Sequence, residues 1–129
     1  MKPSMDKSIL SEIGKISSLR KKGKQHGKIS SSLSGKWLLE VGDEIAIKFK
    51  KSFHLPKGSI MTIHRKRQYL LQTDGEVPDE EDLGPVLETI GAVEVIKIQK
   101  PGRALAKIIV ASDAIEPGDS LYIWKEPPQ

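Results

Sequence analysis

The sequence predicts an all-β chain, a small barrel or sandwich of short antiparallel strands behind a flexible basic N-terminal segment with room for one short helix. Three observations predict it. From about residue 36 onward, short β-branched runs alternate apolar and polar residues and are divided by Gly and Pro. Three turns, Val41-Gly42-Asp43, Leu55-Pro56-Lys57-Gly58-Ser59 and Ile115-Glu116-Pro117-Gly118-Asp119, each place an aliphatic ahead of a glycine and a strand just after it. Lys100-Pro101-Gly102 splits two long apolar runs as a tight turn, because Pro presets the first central angle and Gly supplies the positive one.

Taken in order, Ile9, Leu10, Ile13, Ile16 and Leu19 recur near helical period and predict a short amphipathic helix around residues 6–20. Gly14 and the neighbouring serines weaken it, so it reads as a frayed terminus rather than a docking helix. In Glu44-Ile45-Ala46-Ile47-Lys48-Phe49 the residues Ile45, Ile47 and Phe49 share one face, as in a strand with one side in a core. Ser59 to His64 is a second strand. Val86 to Gln99 is long enough to bend or to be two strands. Within it Val93 and Val95 hold one phase and Ile96 and Ile98 the other, so a bulge or a change of sheet is expected between Val95 and Ile96. Ala104, Ala106, Ile108 and Val110 then form an unbroken apolar face, and residues 92–111 read as a hairpin. The resulting division is 1–27 as basic linker or short helix, 28–125 as β-barrel and 126–129 as tail.

The chain has 129 residues, 21 Lys+Arg, 17 Asp+Glu, no cysteine and two each of Trp, Tyr and Phe, enough for one modest domain. Lack of cysteine excludes thiol nucleophiles, thiolate zinc sites and iron–sulfur ligation. The formal charge of +4 is unevenly placed: residues 1–36 hold nine bases and two acids, a balance of +7, and residues 37–129 hold twelve bases and fifteen acids, a balance of −3. The basic character concentrates in Arg20, Lys21, Lys22, Lys24 and Lys28, the candidate anion-binding residues. Gly23, Gly27 and the adjacent serines favour a solvated linker there. No apolar run approaches a membrane span, and the first residues lack a signal-peptide core.

No cofactor or metal is expected. Asp74 to Asp82 packs six carboxylates into nine residues, but their order does not match a calcium loop, and Pro78 with its charged surroundings reads as an exposed loop. His26, His54 and His64 are too scattered for a ligand pair. His64-Arg65-Lys66-Arg67-Gln68-Tyr69 is the concentrated basic cluster of the body, and Arg65, Lys66, Arg67 and Tyr69 are the candidate partner-binding residues; the alternative is a hairpin tip charged for solubility. Trp37 and Trp124 read most simply as core or rim aromatics, or else as an exposed pair that stacks on sugars. No catalytic residue is assigned, and the chain reads as a non-enzyme.

Five segments carry a resemblance: Gly27-Lys28-Ile29-Ser30, Leu38 to Ile47 with its Val41-Gly42-Asp43 turn, Leu55 to Arg65 with Pro56-Lys57-Gly58-Ser59, Leu83-Gly84-Pro85 through Gly91-Ala92-Val93-Glu94-Val95, and Ile115 to Leu121 with Gly118-Asp119. Over residues 27–123 the chain resembles the C-terminal β-barrel domain of LysM-bearing bacterial envelope proteins of the type IV pilus secretin-associated kind, similar to the C-terminal domain of the flagellar assembly protein FlgT. Ser59 departs from the Asp usual at the second turn, and no LysM motif precedes residue 27. The resemblance implies a small accessory barrel that docks onto a protein partner in a pilus, flagellum or secretin assembly, with peptidoglycan contacted only through a module absent from this chain. It implies a periplasmic or envelope location for a fragment of an exported protein; the chain as written, without an export signal, is expected in the cytoplasm. The alternative is a small nucleic-acid-binding barrel whose Arg20–Lys28 tract clamps phosphates while Arg65 and Arg67 extend the patch.

Overall fold

A computed structural model describes residues 7–18, 25–35, 37–68 and 85–124. Within them lie one short helix and seven strands: α1 Lys7–Glu12, β1 Ile16–Ser18, β2 Gly27–Ser32, β3 Glu44–Phe49, β4 Ile60–Gln68, β5 Pro85–Lys100, β6 Arg103–Ala111 and β7 Ser120–Ile123. Alternation decides which side of each strand is buried. Ile45 and Ile47 of β3, and Ala104, Ala106 and Ile108 of β6, point into a core with Ile29, Met61, Ile63, Val93, Val95 and Leu121. The strands run in the order β5-β4-β7-β2-β3-β6, and β6 returns to β5, so six antiparallel strands close into a barrel. Closure removes the exposed edges that a seven-stranded open sheet would carry.

Strand β5 is the closing element. Pro85 to Glu94 pairs with β4 and Gly91 to Lys100 pairs with β6, so a single bent strand of sixteen residues serves both of its neighbours in the barrel, and its first part also pairs with β1. Its register with β6 shifts between Ala92 and Val93, between Val95 and Lys97 and between Ile98 and Lys100. The middle shift is the bulge expected where the apolar phase changes. The phase that follows is not core, however: Ile98 is 41% exposed. The hairpin at residues 92–111 is present, and Gly102 supplies the positive angle, with φ 83°.

The three aliphatic–glycine turns adopt one geometry. Each closes on itself: the N–H of Asp43, Ser59 and Asp119 donates to the carbonyl of Glu40, Pro56 and Glu116, at 3.0, 3.0 and 3.1 Å. Gly42, Gly58 and Gly118 have φ of 97°, 92° and 97°. Each glycine N–H donates at 2.8 Å to the carbonyl of a core strand residue, Ile108, Val95 and Ile29 in turn. Those residues donate back to Asp43, Ser59 and Asp119 at 3.0, 2.8 and 3.0 Å. Three residues ahead of each glycine a buried aliphatic, Leu39, Leu55 or Ile115, anchors the corner. Each corner therefore leads into one strand (β3, β4, β7) and docks on that strand's neighbour (β6, β5, β2), giving the barrel a pseudo-threefold plan. A β-carbon at any of the three glycines meets open space, so only the left-handed backbone opposes it. Gly42→Ala, Gly58→Ala and Gly118→Ala are expected to cost nearly the same, about 1–2 kcal/mol each, in urea unfolding. A several-fold spread among them would break the equivalence.

The N-terminal segment differs from its expectation. Helix α1 ends near Gly14, which has φ 86°, and the chain then joins the sheet instead of continuing to residue 20. Gly14 N–H donates to the Thr89 carbonyl at 2.7 Å, Thr89 N–H donates to the Lys15 carbonyl at 2.9 Å, and Ile16, Ser17 and Ser18 pair with Glu88, Leu87 and Val86. Ile9 is 1% exposed, so the helix is docked and not a frayed end. Glycine's ready left-handed conformation at Gly14 is what overrides the apolar periodicity.

Candidate functional site

Beyond His64 the strand β4 runs on to Gln68 alongside Pro85–Thr89 of β5, so Arg65, Lys66 and Arg67 belong to a paired strand and not to a hairpin tip. Arg65 lies across the barrel mouth against the loop that carries the third corner. Its Nε donates to Asp119 Oδ1 at 3.2 Å, and one terminal nitrogen donates to Asp119 Oδ2 at 2.7 Å and to the Ala114 carbonyl at 2.8 Å. The Glu116 carboxylate is 3.2 Å away and that of Asp113 is 3.6 Å away. Arg67 donates to Glu88 at 3.1 Å and to Asp113 at 3.3 Å. Two guanidinium groups thus meet four carboxylates, and the two arginines of the run that looks basic in the sequence are neutralised by the barrel's own acids. Hydrogen bonding to Asp119 holds Arg65 firmly protonated against its burial. The Asp113 carboxyl is held below its ordinary range, first by the Ala114 N–H and then by Arg67 and Arg65. Asp119 also accepts the Glu116 N–H at 2.9 Å, so the anchoring carboxylate is fixed by its own turn. Lys66 remains exposed, and Tyr69 lies outside the described residues.

Two of the three histidines that the sequence scatters are brought to one wall of the barrel. His64 is buried, sharing hydrogen bonds with the hydroxyls of Thr62 at 2.7 Å and Thr89 at 3.2 Å. Its ring stands edge-on to Tyr122 at 4.8 Å. His26, expected in the linker, accepts the Ile123 N–H on Nδ1 at 2.9 Å and packs edge-on against Tyr122 and Phe53. Burial pushes the Tyr122 phenol up. Both imidazoles hold the wall together; His54 is exposed. Among the described residues no group of three or more His, Asp or Glu side chains is arranged to hold a metal ion.

Trp37 is not a core aromatic: it is 84% exposed on the loop between β2 and β3, followed by Leu38 at 62% and Val41 at 56%. Trp124 is half-buried. Leu38 and Val41 form one side of a surface groove whose other side is Ala111, Ser112, Asp113 and Ala114. Reciprocal backbone hydrogen bonds between Leu39 and Ile115, at 2.8 and 2.9 Å, fix this loop to the barrel.

Of the candidate anion-binding residues, Arg20, Lys21, Lys22 and Lys24 lie outside the described residues, and Lys28 stands on the outer face of β2. Directly across from Lys28 is Lys48, and across from Lys48 is Arg103. Sequence reading passes over Lys48, Lys100 and Arg103 because they are separated along the chain and only strand register aligns them. Among the described residues no helix is long and apolar enough to cross a membrane. The fold and surface define a closed antiparallel β-barrel with an ion-pair network across its mouth and an exposed apolar loop. No protein-family model, curated protein or solved structure matches the chain.

Proposed function

We propose that this barrel is a non-enzymatic protein-interaction module that docks a partner through its Trp37–Val41 loop, as an assembly domain of a bacterial cell-envelope machine of the pilus, flagellum or secretin type. The observation that carries the docking role is the exposure of Trp37, Leu38 and Val41 together on a loop held to a rigid barrel. Large apolar side chains clustered at the surface mark interaction sites, and tryptophan is among the residues that dominate binding energy when a partner covers it. The envelope setting rests on the resemblance of the turn and hairpin segments to those of the LysM-associated domain.

A photo-crosslinking residue placed at position 37 in cells should trap one discrete protein, while the same residue at the exposed Lys107 should not. Trp37→Ala should leave thermal stability nearly unchanged, within about 0.5 kcal/mol, because so little of the indole is buried. Failure to trap any protein at position 37 while the chain is expressed and folded would defeat the docking role.

A further inference from the structure

The outer face of the barrel carries a row of cations that no ion pair among the described residues neutralises. Lys28 of β2 is directly opposite Lys48 of β3, Lys48 is opposite Arg103 of β6, and Arg103 is opposite Lys100 of β5. All four are exposed. Among the described residues none of them is in an ion pair, in contrast to Arg65 and Arg67. Like charges placed directly across neighbouring strands oppose folding, so the barrel tolerates three such pairs in succession. Farther along the same strands the opposite pattern holds: Lys107 sits between Glu44 and Glu94, with charges of alternating sign. Beside the row, Lys51 packs against Gly102 and the Lys50 ammonium lies 6.0 Å from the Phe53 ring centre, adding positive charge at the same end.

We infer that this row, Lys28–Lys48–Arg103–Lys100, is a binding site for the phosphate backbone of duplex nucleic acid. Three strand spacings make it ~14 Å long. A B-form duplex presents one charge per ~1.7 Å of axis, so the row runs past several phosphates. Ammonium and guanidinium groups donate to phosphate oxygens and release the counterions condensed there. Single strands are gripped by exposed stacking rings, and this face offers none: the next residues inward on it are Ala46 and Leu105, and Phe49 and Phe53 are half-buried. A bilayer would require a cluster of apolar side chains beside the cations; Ile98 alone stands exposed near Lys100, and the exposed Trp37, Leu38 and Val41 belong to a different loop. Binding is therefore by backbone charge, without base reading.

The test is fluorescence anisotropy of a labelled short DNA duplex with the full chain between about 50 and 200 mM salt, where each phosphate contact contributes about 0.9 to the log–log slope. Lys48→Gln is expected to weaken binding at least several-fold and to lower that slope by about one. Lys107→Gln, the same charge change in the sign-matched position, should leave both unchanged. Lys48→Glu should weaken binding further while raising the melting temperature, because it turns two of the three like-charged pairs into opposite-charged ones. Equal effects of the two glutamine variants, or no duplex binding at low salt, would overturn the site. So would tighter binding to a matched single strand or to vesicles of equal parts phosphatidylcholine and phosphatidylglycerol.

Discussion

Arg65→Ala is expected to lower the free energy of unfolding by about 3 kcal/mol, among the larger losses available from a single side chain. The guanidinium is only 18% exposed and its main partner Asp119 only 10%, so the remaining carboxylate would be left largely desolvated and unpaired. The Ala114 carbonyl loses its donor at the same time. Arg65→Lys should recover only part of the loss, because an ammonium cannot grip both Asp119 oxygens in a fork. Arg67→Ala should cost less, about 1 kcal/mol or below, since Arg67 is 38% exposed and Asp113 is 51% exposed, where solvent screens the pair. Urea unfolding of these variants, together with Asp119→Ala and the double variant, measures the pairing directly: the double should cost far less than the sum of its singles. The acid limb follows from Asp113. Its folded pKa lies below the unfolded value, so its contribution is fully present above the ordinary carboxylate range and is lost as pH falls through the folded value. Removing Arg65 should reduce that acid loss only slightly, because the Ala114 N–H and Arg67 hold the Asp113 carboxyl more strongly; additive single variants would contradict the network.

These partners also show where the sequence stops being informative. Local pattern was enough for β3, for the hairpin at residues 92–111, for the bulge after Val95 and for the three glycine corners, because each rests on alternation or on turn chemistry within a few residues. The corners turned out to be more alike than their spelling: Ser59 replaces the aspartate of the other two and still closes its turn on Pro56. What lay beyond reach depended on register between distant segments. Arg65 finds Asp119 at a separation of 54 residues, and β1 finds Val86 some seventy residues away through a three-residue pairing with no strand pattern of its own. The same limit hid the cation row. Its members Lys28, Lys48, Arg103 and Lys100 belong to four separate strands, and for the three that fall within residues 37–129 the balance of −3 conceals them, because six of the fifteen acids there fall in Asp74 to Asp82 and four more lie around Arg65 and Arg67. Trp37 reads in the sequence most simply as a core or rim aromatic, with exposure as the alternative, and only the structure decides between them by showing a loop that carries the indole outward.

The other large effect is expected at Gly91, where no unusual backbone angle is involved and space alone decides. Gly91 is the residue of β5 that faces Ile63 of β4 on one side and Ala111 of β6 on the other, at the bend where the strand passes from one neighbour to the next. A β-carbon added there would overlap the Val110 carbonyl oxygen and press on the Ile63 Cδ1 atom at 3.3 Å and the Ala111 Cα atom at 3.4 Å. The Ile63 methyl could swing aside, but two of the three obstacles are backbone atoms of β6, which can retreat only by loosening the ladder that closes the barrel. Gly91→Ala is therefore expected to cost at least about 3 kcal/mol, more than any of the three corner glycines, although its backbone angle is the more ordinary. Gly91→Val should remove most of a marginal stability of ~5–15 kcal/mol and leave little folded protein. Equilibrium urea unfolding with tryptophan fluorescence and far-UV circular dichroism orders the variants. If Gly91→Ala proved no more costly than Gly42→Ala, the close approach of β5 and β6 at this bend would not be what seals the barrel.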